Sequence, residues 1–504
     1  MCIRRVGILS RLVGALLLAS TMTSAQSKNS DETARRTERS HSVAPVSRHS
    51  AVAVIERWVL GLSQSTLENG LRVVMAPDPD SPTVSVSVTY DVGSRNETVG
   101  QSGFAHLFEH MMFQGSRNVA KGDHFQLITS RGGQLNGTTS SDRTNYFETL
   151  PASELQLGLW LEADRMRWLD ISPENFENQR AVVKEEYRMR VENAAYRPAL
   201  IELERQLFAG YAPYEHPTIG SMADLDAAKL EWVKEFHSRY YRPNNAVLSL
   251  SGGFDPDQAM EFIRKYFGAI ERAPVAAFSE PALPPDRTQE NRLALTDVNA
   301  KTAALLWGWR IPKSRTADHF ALEMTARVLA DGESSLLYEK LVRKLALARD
   351  VSVFTYDHRG PDAFVITVEL NEGADAAKVE AIVDKELSAL ASAGPNRNAL
   401  ERARQRTKSA FVFGLQSNQN RATTLGEYAV FYDNPRLIAR DLEALLKVGP
   451  HDITEAVALY LPKHARTLIH VAPAPKPPIL RAEPQSPVSS PVTSQASQSS
   501  KESR

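Results

Sequence analysis

The hexapeptide YRPNNA at residues 241–246 returns as YLPKHA at residues 460–465. Both follow Tyr-x-Pro-x-x-Ala, and each leads into a short apolar run of strand character, AVLSL at 246–250 and TLIHVA at 467–472. Such an echo carries weight only if the elements before it repeat as well.

They do repeat. The first stretch opens with STLENGLRVVMAPD at residues 65–78, where Asn69-Gly70 between apolar runs marks a tight hairpin turn. TVSVSVTY at 83–90 then alternates strictly, placing Val84, Val86 and Val88 on one face as in a half-buried strand. Helical patterns follow at 153–169 and 174–192, before the closing strand. The second stretch runs LALTDV, TAALLWGW, a helical segment from Ala317 to about Leu347, the strand AFVITVEL, further helices and TLIHVA. The order predicts an α+β chain of two homologous domains from an internal duplication, each an antiparallel-rich sheet packed with helices on one face.

The 504 residues exceed one ordinary domain, and 42% hydrophobic content suffices for sizeable cores. A formal net charge of −1 gives no basic field for nucleic acid or an anionic membrane. MCIRRVGILSRLVGALLLASTMTSAQS has Arg4, Arg5 and Arg11, an apolar stretch from Leu12 to Ala19, and small residues up to Ala25. That is the layout of a secretory signal peptide, and the apolar run is too short to span a bilayer. The reading predicts export, to the periplasm or beyond, with no transmembrane segment in the mature chain. Cys2 is the only cysteine and would be removed with the signal, so no disulfide supports the fold. The predicted organisation is a signal peptide at 1–25, a flexible leader at 26–57, one domain at 58–271, a Pro-rich linker at 272–291, a second domain at 292–473 and a Pro/Ser-rich tail at 474–504.

Chemistry concentrates in HLFEH at residues 106–110. On a helix, His110 lies about 40° round from His106, and Glu109 about 60° the other way. The three side chains therefore face one space, while Leu107 and Phe108, with Met111, Met112 and Phe113, can anchor the helix in a core. Two neutral imidazoles in this arrangement can hold Zn²⁺ beside a carboxylate free to act as a base. A third ligand can come from ENQRAVVKEEYRMRVEN at 177–193, a helical run with Val182, Val183 and Tyr187 expected on its buried side. Glu185 and Glu186 are both candidates there.

The runs NGLRVV, YDVGS, GFAHLFEHMMFQGS, GGQLNGTTSSDRTNYF, NQRAVVKEE and YYRPNNAVLSLSGGF, taken in order, resemble the insulinase/pitrilysin family of inverted-motif zinc peptidases. The shorter, processing-peptidase-like bacterial members fit best, over residues 60–270 and more loosely to 473. The resemblance implies a zinc endopeptidase acting on extended peptides, with one Zn²⁺ per chain. It assigns His106 and His110 as ligands, Glu109 as general base, and the third ligand to Glu186, 76 positions beyond His110. The family often has an acidic residue seven positions before that ligand; this chain has Gln179, which can orient a ligand without adding charge. It also implies that substrate adds to a sheet edge near Asn136, where Gly132, Gly133 and Gly137 permit close approach.

One departure stands out. Active members usually carry an Arg and a Tyr seven residues apart in the second half. In SSLLYEKLVRKLALARDVSVF (334–354), Arg343 can stand for the arginine, but Arg349 falls at the tyrosine position and the spacing is one residue off. The resemblance then implies a dimer, either a homodimer or a heterodimer with a related chain carrying the Arg/Tyr pair. A non-catalytic peptide-binding or scaffold subunit is the alternative.

Overall fold

The structure, a computed structural model, describes residues 61–275 and 278–475. The expected signal peptide and leader lie outside these residues, as does the expected tail from residue 476 onward. Among the described residues, no helix is long and apolar enough to cross a membrane.

Six strands, β1 (Ser63–Thr66), β2 (Arg72–Pro77), β3 (Thr83–Tyr90), β4 (Gln134–Thr139), β5 (Thr144–Pro151) and β6 (Ala246–Gly252), form one sheet in the order β1-β2-β6-β3-β5-β4. Five more, β7 (Asn291–Asp297), β8 (Ala304–Ile311), β9 (Ala348–Thr355), β10 (Asp362–Leu370) and β11 (Thr467–Pro473), form a second in the order β7-β11-β8-β10-β9. Setting β1 aside, the orders match strand for strand. The one parallel pair of each sheet also matches, β2 with β6 and β7 with β11; every other pairing is antiparallel. The two Tyr-x-Pro-x-x-Ala motifs lead into β6 and β11, which are equivalent strands. The fold is thus a duplicated α+β unit.

The local signals act as their chemistry dictates. Gly70 sits at φ 88° in the β1–β2 turn, a region open to glycine. The helix Pro173–Tyr187 starts with proline in its first turn and Ser172 as cap, the hydroxyl accepting the Asn175 N–H. The helical segment expected from Ala317 to Leu347 divides in two. It stops at Ala330, before Asp331 and a left-handed Gly332 at φ 89°, and one further wide turn forms at Tyr338–Lys344.

Each sheet carries its own helices on one face, and a helix from the other half covers the second face. In β8, Leu305, Trp307 and Trp309 join the core under the second half's helices, while Ala304 and Leu306 meet Ala199, Leu203 and Leu207 of the first-half helix Arg197–Leu207. In β3, Val84, Val86 and Val88 fill the first core, each fully buried and contributing about 1.5–3 kcal/mol relative to exposure. The alternation predicted a half-buried strand, yet Ser85, Ser87 and Thr89 are fully buried too. The second-half helix Asn418–Tyr432 lies on them, and small side chains permit that contact: a Cβ on Gly426 would stand 2.5 Å from Thr89 Oγ1. Ser249 Oγ donates to Ala422 O at 2.7 Å across the same seam.

Candidate active site

The helix Phe104–Met111 buries Phe104, Ala105, Leu107, Phe108 and Met111, and Phe108 packs 4.1 Å from the Tyr241 ring, a residue of the first repeated motif. Anchored on that side, it turns His106, Glu109 and His110 into a cavity of about 650 Å³.

Glu186, in the last turn of the helix Pro173–Tyr187, meets both histidines. Its Oε2 lies 3.2 Å from His110 Nε2 and 3.7 Å from His106 Nε2. Donors on a tetrahedral Zn²⁺ with bonds near 2.0–2.1 Å stand about 3.3 Å apart, so the spacing and the His₂Glu donor set suit that ion with one position left open. His110 Nδ1–H donates to Gln179 Oε1 at 3.3 Å, which fixes the ring and turns Nε2 toward Glu186. Burial pushes the Glu186 carboxyl up, but the hydrogen bond from His110, with His106 and Arg190 nearby, outweighs it and holds the group below its ordinary range. Glu185 instead faces solvent and pairs with Arg188. Of the apolar residues expected on the buried side of this helix, Val183 is buried and Tyr187 partly so, whereas Val182 is 43% exposed; about 100° of rotation separates the two neighbouring valines.

Glu109 stands beside the cluster at the edge strand β4. Thr139 Oγ1 donates to its Oε2 at 2.5 Å, and a Cβ on Gly137 would lie 3.1 Å from Glu109 Cγ. Burial pushes the Glu109 carboxyl up, with the Thr139 bond and neighbouring His110 and Arg143 offsetting part of the shift. Asn136 lies on the same strand, lines the cavity and accepts its neighbour Gly137's N–H at 2.9 Å. β4 is the outermost strand of its sheet, with Gln134 and Asn136 exposed. Neither Arg343 nor Arg349 lines the cavity; Arg349 sits on β9 and pairs with Glu369 at 2.9 Å.

Sequence reasoning missed the wall supplied by the second half. Tyr356 and His358, in the turn between β9 and β10, line the cavity with Phe208 and Tyr214. This turn is the duplicate of the β4–β5 turn, and the two equivalents meet. Arg359 N–H donates to Asp142 Oδ2 at 3.1 Å, Tyr214 O–H donates to Asp142 Oδ1 at 2.8 Å, and Gly360 N–H donates to Tyr214 at 2.9 Å. The only signal was the duplication, which marks the two turns as counterparts. Among the described residues, two other groups hold metal-ligating residue types, His124/Glu148/Glu162 and His319/Glu323/Asp357. In the first, Arg165 already pairs with Glu162; in the second, His319 Nε2 is bonded to Asp362 at 2.8 Å.

Residues 72–209 match the family described as Insulinase (Peptidase family M16), and residues 228–407 match the Peptidase M16 inactive domain. The chain is 30% identical to zinc protease PqqE of Helicobacter pylori over 372 residues, 73% of this chain and 83% of that protein. It is 28% identical over 406 residues to an uncharacterised zinc protease of Mycobacterium tuberculosis, covering 79% of this chain and 90% of that one. The crystal structure of a protease from Helicobacter pylori superposes with a TM-score of 0.77 at 26% identity, over 82% of this chain and 99% of that one. The chain belongs to the insulinase family of zinc proteases, peptidase family M16.

Proposed function

We propose that the chain is a zinc metalloendopeptidase that hydrolyses extended peptides. The observation carrying this reading is the cluster of His106, His110 and Glu186, with Glu109 beside it at a free sheet edge. A zinc ion held by those three side chains supplies Lewis acidity toward a water and a peptide carbonyl. The rest is work for the chain's own groups. Glu109, held at Oε2 by Thr139, keeps Oε1 to accept a proton from the attacking water and return it to the leaving amine. Its burial favours the protonated form needed in the second step. Gln179 orients His110, and β4 offers an edge on which a peptide can lie as an added strand near Asn136.

We read the chain further as the zinc subunit of a dimer whose other member supplies the carbonyl-polarising Arg/Tyr pair. The position of Arg349, paired to Glu369 away from the cavity, supports this. The N-terminal sequence supports export to the periplasm. Metal analysis and a peptide-cleavage assay, with and without a co-purified related chain, test both statements. Zinc with turnover only in the pair is the expected result. Full turnover by the chain alone removes the heterodimer, and peptide binding without turnover in either preparation leaves a binding subunit.

A further inference from the structure

The helix that carries His106 and His110 begins in a way that denies it an ordinary cap. Its N-cap is Gly103, at φ 90°, with no side chain to accept the first free N–H groups. No side chain fits there, because a Cβ would stand 2.7 Å from Ile219 O and 3.0 Å from Gly220 Cα. The reciprocal partner is also missing. A Glu or Gln at the third helical position would reach back to the N-cap N–H, and that position is His106, which faces the cluster.

Glu97, six residues before the N-cap, performs both tasks. Its Oε2 accepts the Gly103 N–H at 2.9 Å, and its Oε1 accepts the Ala105 N–H at 2.7 Å. None of its side chain is exposed. Burial pushes this carboxyl group well above its ordinary range, and the N–H groups at the free end of the helix offset part of that shift. Oε2 also lies 3.6 Å from Nδ1 of His216, which lines the cavity. A second carboxylate, Asp224, holds the same entry loop, but only through the N–H and hydroxyl of Ser102, outside the helix.

We infer that Glu97 is a positioning residue of the metal site: it is the remote cap that sets the first helical turn and hence the direction of His106. The inference rests on reading His106 and His110 as metal ligands. A neighbour that fixes a ligand's orientation typically changes metal affinity by about 10–100-fold when removed. Glutamine at this position keeps one acceptor and turns an NH₂ group against an N–H, so it breaks one of the two bonds.

The full-length chain, its E97Q variant and a D224N control are loaded with Co²⁺ as a spectroscopic probe, and Zn²⁺ affinity is measured by chelator competition. Circular dichroism and denaturant unfolding report folding. The expected result is a folded E97Q with Zn²⁺ affinity at least tenfold lower and an altered visible Co²⁺ spectrum. D224N is expected to lose stability while keeping both metal readouts. Wild-type affinity and spectrum in E97Q overturn the inference, as does a D224N that shifts both readouts equally. If E97Q does not fold, E97D takes its place, since it keeps the carboxyl group but is one methylene too short to reach both N–H groups; wild-type metal binding in E97D also overturns the inference. Wild-type protein that binds neither metal refutes the site reading itself.

Discussion

Glu185 and Glu186 are adjacent in sequence and opposite in environment. Glu186, with 12% of its side chain exposed, turns into the cavity 3.2 Å from His110 Nε2; Glu185, 63% exposed, pairs with Arg188 at 3.0 Å. Helix geometry dictates the divergence, since a step of about 100° cannot bring both to one face. Only Glu186 shares the space of the two histidines. Glu186→Gln should therefore lose zinc on gel filtration and all hydrolysis with it. Glu185→Gln should retain both and shift stability by no more than about 0.5 kcal/mol, as surface changes do. Equal zinc loss in the two variants would remove Glu186 from the ligand set.

Glu109 allows metal binding to be separated from proton transfer. Glu109→Gln keeps shape and all three donors but cannot accept a proton, so zinc content should stay at the wild-type level while kcat falls by roughly 10²–10⁴-fold. Gly137→Ala tests the same carboxylate from β4. Its new methyl group would stand 3.1 Å from Glu109 Cγ and 3.2 Å from the Phe113 and Tyr146 rings, so the base must yield by tenths of an ångström. About a tenfold loss of kcat with zinc retained is expected. A Gly137→Ala enzyme of normal kcat would show that the base tolerates displacement.

How much of this the sequence discloses depends on chain distance. The duplicated sheet order follows from local patterns repeated in sequence, and the His106–Glu109–His110 arc from helical periodicity within one turn. Choosing Glu186 over Glu185 took the family resemblance, because both fit a helical run. Val182 was misplaced because Val182 and Val183 are equally apolar and only packing chooses between them. The buried serine face of β3 and the wall of Tyr356 and His358 were out of reach. Both arise where segments more than 170 residues apart meet, and polar residues on a strand or in a turn ordinarily signify solvent. Glu97 was hidden for a related reason: capping is normally sought at the N-cap, and here the N-cap is a glycine that must remain one.

Asp142 joins the two equivalent hairpin turns. It accepts from Tyr214 and from the Arg359 backbone, and its Oδ1 lies 3.2 Å from Arg95 Nη1. Asp142→Asn keeps the shape but weakens the charge-assisted bonds, at a cost of about 1–3 kcal/mol in unfolding free energy. If the turn bearing Tyr356 and His358 forms a working wall of the cavity, kcat/KM should fall several-fold with zinc content unchanged. Lost stability with unaltered kcat/KM would make the contact a structural seam only.

Glu148 supplies a pH test away from the metal cluster. It is fully buried beside Glu162, whose carboxylate is taken by Arg165 at 3.0 Å. Burial, then repulsion from Glu162, pushes the Glu148 carboxyl well above its ordinary 4.5, with Arg165 offsetting part of the shift. Protonated, it can donate to Glu162. Below pH 4.5 both folded and unfolded chains hold this proton, and above it the unfolded chain releases the proton first. The contribution to stability is thus complete below the unfolded value and drains as pH rises toward the folded one, by up to about 1.4 kcal/mol per unit. Neighbouring His124, pushed well below its ordinary 6.5 by burial, acts in the opposite sense below that value. Wild type and Glu148→Gln must therefore be compared at each pH, so that the histidine cancels. Glutamine cannot ionise, so Glu148→Gln should match wild type at pH 4.5 and below and gain relative stability as pH rises above it in denaturant unfolding. Arg165→Met, which strands a buried carboxylate, should cost about 3–5 kcal/mol at neutral pH. A pH-independent difference between wild type and Glu148→Gln would mean that Glu148 is ionised in the folded protein.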